Sequence, residues 1–190
     1  MSTHLRPFRV LLTAVALAAS PAPAEGPAPW DVPFEGKPAA ILAAAAEVPP
    51  AEGRGAVVLL EEGSYTFDEK GRLTERLYRV VRIVTPAAVE GWSTVETAWA
   101  PWHQSRPELQ ARVITSDGVA HLLDPKTITD TPLSDDDPDL FTDRREARAP
   151  LPAVAAGSVL EQVITLRDTQ PYFAGGSVYG FSFGWGPGAE

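Results

Sequence analysis

The stretch Ala149–Asp168, APLPAVAAGSVLEQVITLRD, decides the fold. It opens with a Pro-containing apolar segment, 149–154, and a small-residue turn, Ala155-Ala156-Gly157. Val159–Leu166 then reads as a strand, in which successive side chains point to opposite faces. One face takes Leu160, Ile164 and Leu166, interrupted by Gln162. The other takes Val159, Val163 and Thr165, together with Glu161. A strand apolar on both faces is covered on both sides, either as a central strand or by leaning on a neighbouring domain. Arg167-Asp168 restores charge and ends it. The stretch contains no nucleophile motif, metal cluster or phosphate loop, so it builds a core rather than a reaction centre.

The 190 residues suffice for one domain of ordinary size. An apolar content of 44% excludes a wholly disordered chain, and 19 Pro with 15 Gly favour turns and short strands over long helices. Cysteine is absent, which removes disulfide frameworks, thiolate zinc sites and cysteine nucleophiles together. The net charge is −9. Losing residues 1–24 would remove Arg6 and Arg9 and no acid, leaving 14 basic against 25 acidic residues, or −11. Such a chain repels phosphate backbones and anionic lipid, so no nucleic-acid partner is expected.

Residues 1–24 have the three parts of a secretory signal peptide: Arg6 and Arg9, the apolar run Val10–Ala19, and Ala22-Pro23-Ala24 before Glu25. The apolar run is shorter than the roughly 20 residues a spanning helix needs. The alternatives are an uncleaved anchor or a disordered Ala/Pro tail. Export to the periplasm or cell envelope is therefore expected, with no membrane span after cleavage. Residues 25–55 read as a Pro/Ala-rich arm, with Trp30 and Phe34 placed to pin it and a short helix over Pro38–Val48.

Residues 56–190 read as the main domain, a β-sandwich. Val57–Phe67 and Leu73–Val84 form a hairpin about Asp68-Glu69-Lys70-Gly71. Leu77, Val81 and Ile83 share one face of its second arm with Arg79; Tyr78, Val80 and Val84 share the other with Arg82. Pro86–Trp92 suits one helical turn, and Ser93–Ala100 a short strand. Leu109–Thr115 and Val119–Leu123 form a second hairpin about Ser116-Asp117-Gly118, the strongest turn signal in the chain. Asp124–Arg148 reads as a long polar loop, with Leu140 and Phe141 tucked inward. Thr142–Ala149 is expected to pair with the strand after Gly157. Tyr179, Phe181 and Phe183 alternate with Gly180 and Ser182 as a last strand. The expected fold class is mainly β: an antiparallel β-sandwich with an N-terminal signal peptide and a short Ala-rich helix.

The landmarks in order are Tyr78-Arg79-Val80-Val81-Arg82-Ile83, Trp92, Ala111-Arg112-Val113-Ile114 with Asp117-Gly118, and Phe141-Thr142-Asp143 to Leu151-Pro152. Gly157-Ser158-Val159-Leu160-Glu161 and Asp168 complete them. This order resembles the N-terminal β-sandwich domain of unknown function that precedes transglutaminase-like domains in bacterial envelope proteins. The resemblance runs from about Val57 to Phe183 and implies a fold, since no landmark is a catalytic motif. Members of that family continue into a Cys-His-Asp transglutaminase-like domain. Without cysteine, that nucleophile is not in this chain. The sandwich is then expected to be cut short at its C-terminus or completed by a partner, because an open sheet edge invites pairing.

Several residues have chemistry to weigh. Asp135, Asp136, Asp137 and Asp139 form an acidic run whose hard oxygens suit calcium. It lacks the glycine and distant Glu of an EF-hand loop, and the alternative is a solvated loop face. His103 and His121 would need a third ligand brought by folding to hold a metal. Neither Ser116-Asp117-Gly118 nor Gly157-Ser158 has the G-x-S-x-G elbow of a hydrolase. Glu61 with Glu62, or Glu161 with Asp168, are carboxylate pairs of a kind that 25 acids supply by chance. Trp92, Trp99, Trp102, Tyr172 and Phe173 line either a groove for sugar or peptide, or the core.

The leading expectation is a non-catalytic exported interaction module. Its partner would be a protein or cell-envelope component with transglutaminase-like or peptidase-like activity, and it needs no cofactor. The alternative is a glycan- or small-ligand-binding module that uses Trp99, Trp102 and His103. A metal- or acid-dependent enzyme comes third.

Overall fold

The computed structural model describes residues 27–133 and 143–174. The expected signal peptide, the acidic run Asp135–Asp139 with Leu140 and Phe141, and the strand expected at Tyr179–Phe183 lie outside the described residues. The chain runs through α1 (Pro38–Ala46), β1 (Ala56–Phe67) and β2 (Leu73–Ile83). A 3-10 turn at Pro86–Ala88 leads into the single turn α2 (Val89–Trp92) and then β3 (Thr94–Trp99). β4 (Glu108–Ile114) and β5 (Ala120–Leu122) follow. A second 3-10 turn at Pro125–Thr127 precedes β6 (Thr129–Pro132), β7 (Arg145–Pro150) and β8 (Val159–Arg167). The protein is mainly β, with two antiparallel sheets in the orders β1-β2-β8-β4-β5 and β3-β7-β6.

β8 is the middle strand of the larger sheet, hydrogen-bonded to β2 on one side and β4 on the other. Every residue from Val159 to Leu166 is buried. Its two apolar faces have different covers. Leu160, Ile164 and Leu166 pack with Val81, Ala111 and Val113 against Val95, Trp99, Ala147 and Ala149 of the smaller sheet. Val159 and Val163 pack with Tyr78, Val80 and Ile114 against Trp30, Ile41 and Ala45. The arm and α1 therefore form a third layer, and the two-faced pattern of β8 follows from it.

Both sequence-read hairpins are present. Gly71 N–H donates to the Asp68 carbonyl at 2.9 Å, closing the β1–β2 turn. Gly118, at φ +84°, closes the β4–β5 turn through its N–H to the Thr115 carbonyl at 2.8 Å. Positive φ is open to glycine at no steric cost. Gly157, at φ +87°, makes the turn that feeds β8 and leaves 3.2 Å between a virtual Cβ and Ser116 Cβ.

Two expectations are corrected. Asp124–Arg148 is not all loop: it carries β6 and the first residues of β7. β7 pairs with β3 and β6, not with β8. Both edges of β8 are already taken, so no place was left beside it. The strand hid because only Ala147 and Ala149 of β7 are buried, and charged residues flank them. Two alanines on alternate positions give a weak strand signal.

The layer formed by the arm is held by a buried charge. Glu161, fully buried on β8, is ion-paired with Arg112 of β4. Its Oε1 also accepts from the Tyr78 hydroxyl at 3.1 Å and from the Phe34 N–H at 3.2 Å. Arg112 Nη2 donates to the Gly36 carbonyl at 3.1 Å, and the Tyr78 hydroxyl lies 2.8 Å from the Trp30 carbonyl oxygen. Arg82 of β2 donates to the carbonyls of Ala45 and Val48 at 2.5 and 2.6 Å. It caps a helix that has no basic residue in its own last turn.

Removing one member of a buried pair strands the other. Glu161→Met is expected to cost about 3–5 kcal/mol, and the double substitution Glu161→Met with Arg112→Met much less than the two singles together. Chemical denaturation of the four proteins checks this. Burial, and then the Glu161 carboxylate, hold the Tyr78 phenol above its ordinary value. A group raised in the fold adds stability below its unfolded pKa and loses it as pH rises toward the folded one. Stability should therefore fall as pH climbs above about 10, and that limb should flatten in Tyr78→Phe. Melting temperatures across the alkaline range measure it.

Candidate functional site

One end of the sandwich opens into a cleft of about 540 Å³ between the two sheets. Its floor includes Glu75 of β2 and Leu166 of β8, and its wall the end of β3, Thr97–Trp99. Asp143 and Arg144, just before β7, close one side. The loop after β3 forms the rim. There the N–H groups of His103 and Gln104 both donate to the Ala100 carbonyl, at 3.2 and 2.9 Å. Gln104 Oε1 accepts from the Ala100 N–H at 2.9 Å. Thr169 N–H donates to the His103 carbonyl at 2.7 Å, tying the loop to the segment after β8. That segment supplies Tyr172.

The rings of the rim form one group. Trp102 lies 4.0 Å from His103 and 5.3 Å from Tyr172, and Tyr172 meets the edges of His103 and Phe173. Trp102, Tyr172 and Phe173 are 45%, 50% and 50% exposed, an unusual cluster for large rings. Trp99 and His103 are only 8% and 7% exposed. Trp99 Nε1 and His103 Nδ1 have no hydrogen-bond partner among the described residues. A buried polar atom without a partner costs about 1–3 kcal/mol. Gln162 Nε2, on the face of β8 toward the smaller sheet, is also unpartnered but lies away from the cleft.

The structure thus brings Trp99, Trp102 and His103 to one cleft with Tyr172. Trp92 is not among its lining and packs against the core. No sequence pattern singles out Glu75. It is one of several acids on alternating strands, and only the pairing of β2 with β8 puts it at the open end. Asp135, Asp136, Asp137 and Asp139 lie outside the described residues. Among the described residues no group of three or more His, Asp or Glu is placed to hold a metal ion. His121 sits on β5 at the far edge of the larger sheet.

The other sequence candidates have structural partners. Glu61 is ion-paired with Arg79 at 2.9 Å. Glu161 and Asp168 are seven residues apart along one strand direction, about 23 Å, far beyond the reach of two cooperating carboxylates. Asp168 accepts from the Leu73 N–H at 3.0 Å. Ser158 is buried, and its hydroxyl accepts from the Ala155 N–H at 3.2 Å. No helix among the described residues is long and apolar enough to cross a membrane.

Burial, and then the Asp168 carboxylate, raise the Glu75 pKa above its ordinary value of 4.5. By the same linkage, ionising Glu75 works against the fold as pH rises through the carboxyl range. Glu75→Gln should therefore be more stable than the parent at pH 7, with the difference shrinking below pH 4.5. Thermal melts of both proteins at the two pH values test this.

The comparisons follow the geometry. The family model of DUF3857, a domain of unknown function with a solved structure, matches residues 69–188. That is more than half of the chain, and the chain belongs to this family. A crystal structure of a putative protease from Parabacteroides distasonis has the same fold, with a TM-score of 0.56 at 12% identity. The match covers 63% of this chain but 24% of that one, so this chain spans about a quarter of the longer protein. No curated protein matches the chain.

Proposed function

We propose that this chain is a non-catalytic accessory module of the bacterial cell envelope. It binds or supports a peptidase-like or transglutaminase-like activity that another domain supplies. One observation carries the reading: the same fold occupies a quarter of a longer chain that bears a protease name. A fold that recurs as a minor part of a larger chain behaves as a module. The internal chemistry agrees with this role. The most deeply buried acid, Glu161, is bound by Arg112, Tyr78 and Phe34 and serves the architecture. The three-part pattern of residues 1–24 supports export, and the net charge of −9 favours a protein or neutral envelope component over nucleic acid.

The purified chain should release no product from a fluorogenic peptide, a nitrophenyl ester or a glycan substrate. It should also incorporate no amine into a glutamine-containing peptide. Turnover that co-elutes with the protein and vanishes in His103→Ala would overturn the reading.

A further inference from the structure

We propose that the cleft at the open end of the sandwich binds a sugar ring, stacked on Trp102 and Tyr172 and hydrogen-bonded by Trp99 and His103. The inference goes beyond the accessory role and stands on different observations. Trp99 and His103 each bury more than nine-tenths of their surface, each line this cleft, and each carry an unpartnered polar atom. The convergence matters more than either atom alone.

The chemistry around them selects a ligand class. Trp99 Nε1 only donates, and His103 Nδ1 donates or accepts according to tautomer. Glu75 and Asp143 on the same lining bring carboxyl oxygens that accept. A ligand must therefore donate and accept at several closely spaced points. Adjacent hydroxyls on one ring do this. A purely apolar ligand leaves Trp99 and His103 as they are, and an anionic one meets the two acids Glu75 and Asp143 against the one base Arg144. The half-exposed rings of Trp102 and Tyr172 add flat apolar surface for the C–H face of a pyranose. A volume of about 540 Å³ lies within the range of small-ligand sites.

In this conformation the two unpartnered atoms are sealed from water. Trp102 and Tyr172, with centroids 4.0 and 5.3 Å from the His103 ring, are the exposed rings whose shift would open the His103 atom. Binding should therefore move the rim rings and leave the loop backbone in place.

Indole N–H signals in nitrogen-15 NMR of the full chain read this directly, with Trp99→Phe assigning the Trp99 signal. The probes are methyl glucoside, cellotriose and chitotriose, with trialanine as the peptide comparison. At least one saccharide should shift the Trp99 signal saturably at millimolar concentration. Trp102→Ala and Tyr172→Ala should each weaken that saccharide about tenfold, with melting temperatures close to the parent's. No shift with any saccharide would overturn the proposal, and so would a response to trialanine alone. The readout is binding, so it is unaffected if the turnover assays go against the accessory role.

Discussion

A carboxylate sealed inside the protein sets the terms for the rest of the structure. Glu161 stands on the middle strand of the larger sheet with no solvent contact. An isolated ion there would be very costly, and an arginine alone leaves lone pairs unmet. The remaining demand is met from a distance. The Phe34 N–H, 127 residues away in sequence, and the Tyr78 hydroxyl complete the shell. Phe34 adopts φ +65°, a left-handed conformation unusual for an aromatic residue. The hydrogen bond to Glu161 helps hold it there. The cost of burying the charge is thereby converted into a fixed path for the arm.

The dependence runs both ways. The helix α1 has nine residues, no side-chain cap at its start and no basic residue in its last turn. Helices of that length are marginal alone. Arg82, from a strand, satisfies its terminal carbonyls, while Ile41 and Ala45 bury its inner face. The sheet lends the helix its cap, and the arm lends the sheet its cover. On the side facing the smaller sheet the buried contacts are mainly apolar, and the Arg79–Glu61 ion pair is partly exposed. The larger sheet thus has one polar-stitched face and one greasy face, from strands whose residues simply alternate.

That alternation explains what was legible beforehand. The two-faced run Val159–Leu166 required cover on both sides, and the turns at Asp68–Gly71 and Asp117-Gly118 fixed both hairpins. Trp30 and Phe34 pin the arm to the sheet, as their place in a Pro-rich segment implies. Glu161 reads in the sequence as a polar residue on one strand face and as a chance carboxylate pair with Asp168, because its partners lie on three other segments and no local pattern joins them. β7 was assigned the wrong neighbour for a related reason. Its inward residues are two alanines, too small to advertise a face, and strand order in a sheet depends on which edges remain open. Trp99, Trp102 and His103 are visible in the sequence as a loop of large rings, and Tyr172 as a further ring for the same groove, whereas Glu75 joins them only through the pairing of β2 with β8.

With both faces of the larger sheet covered, that sheet offers a partner only its edges and ends. The open end has the features that recognition needs. Its loop backbone is fixed by two hydrogen bonds to the Ala100 carbonyl and two to the His103 carbonyl, so few degrees of freedom remain in the base. Its outer rings remain half-exposed. A rigid base reduces the entropy lost on binding. The two polar centres differ. Glu161 is satisfied from every side and has nothing left to offer a partner. Trp99 and His103 keep unmet hydrogen-bonding capacity where they line the cleft between the sheets.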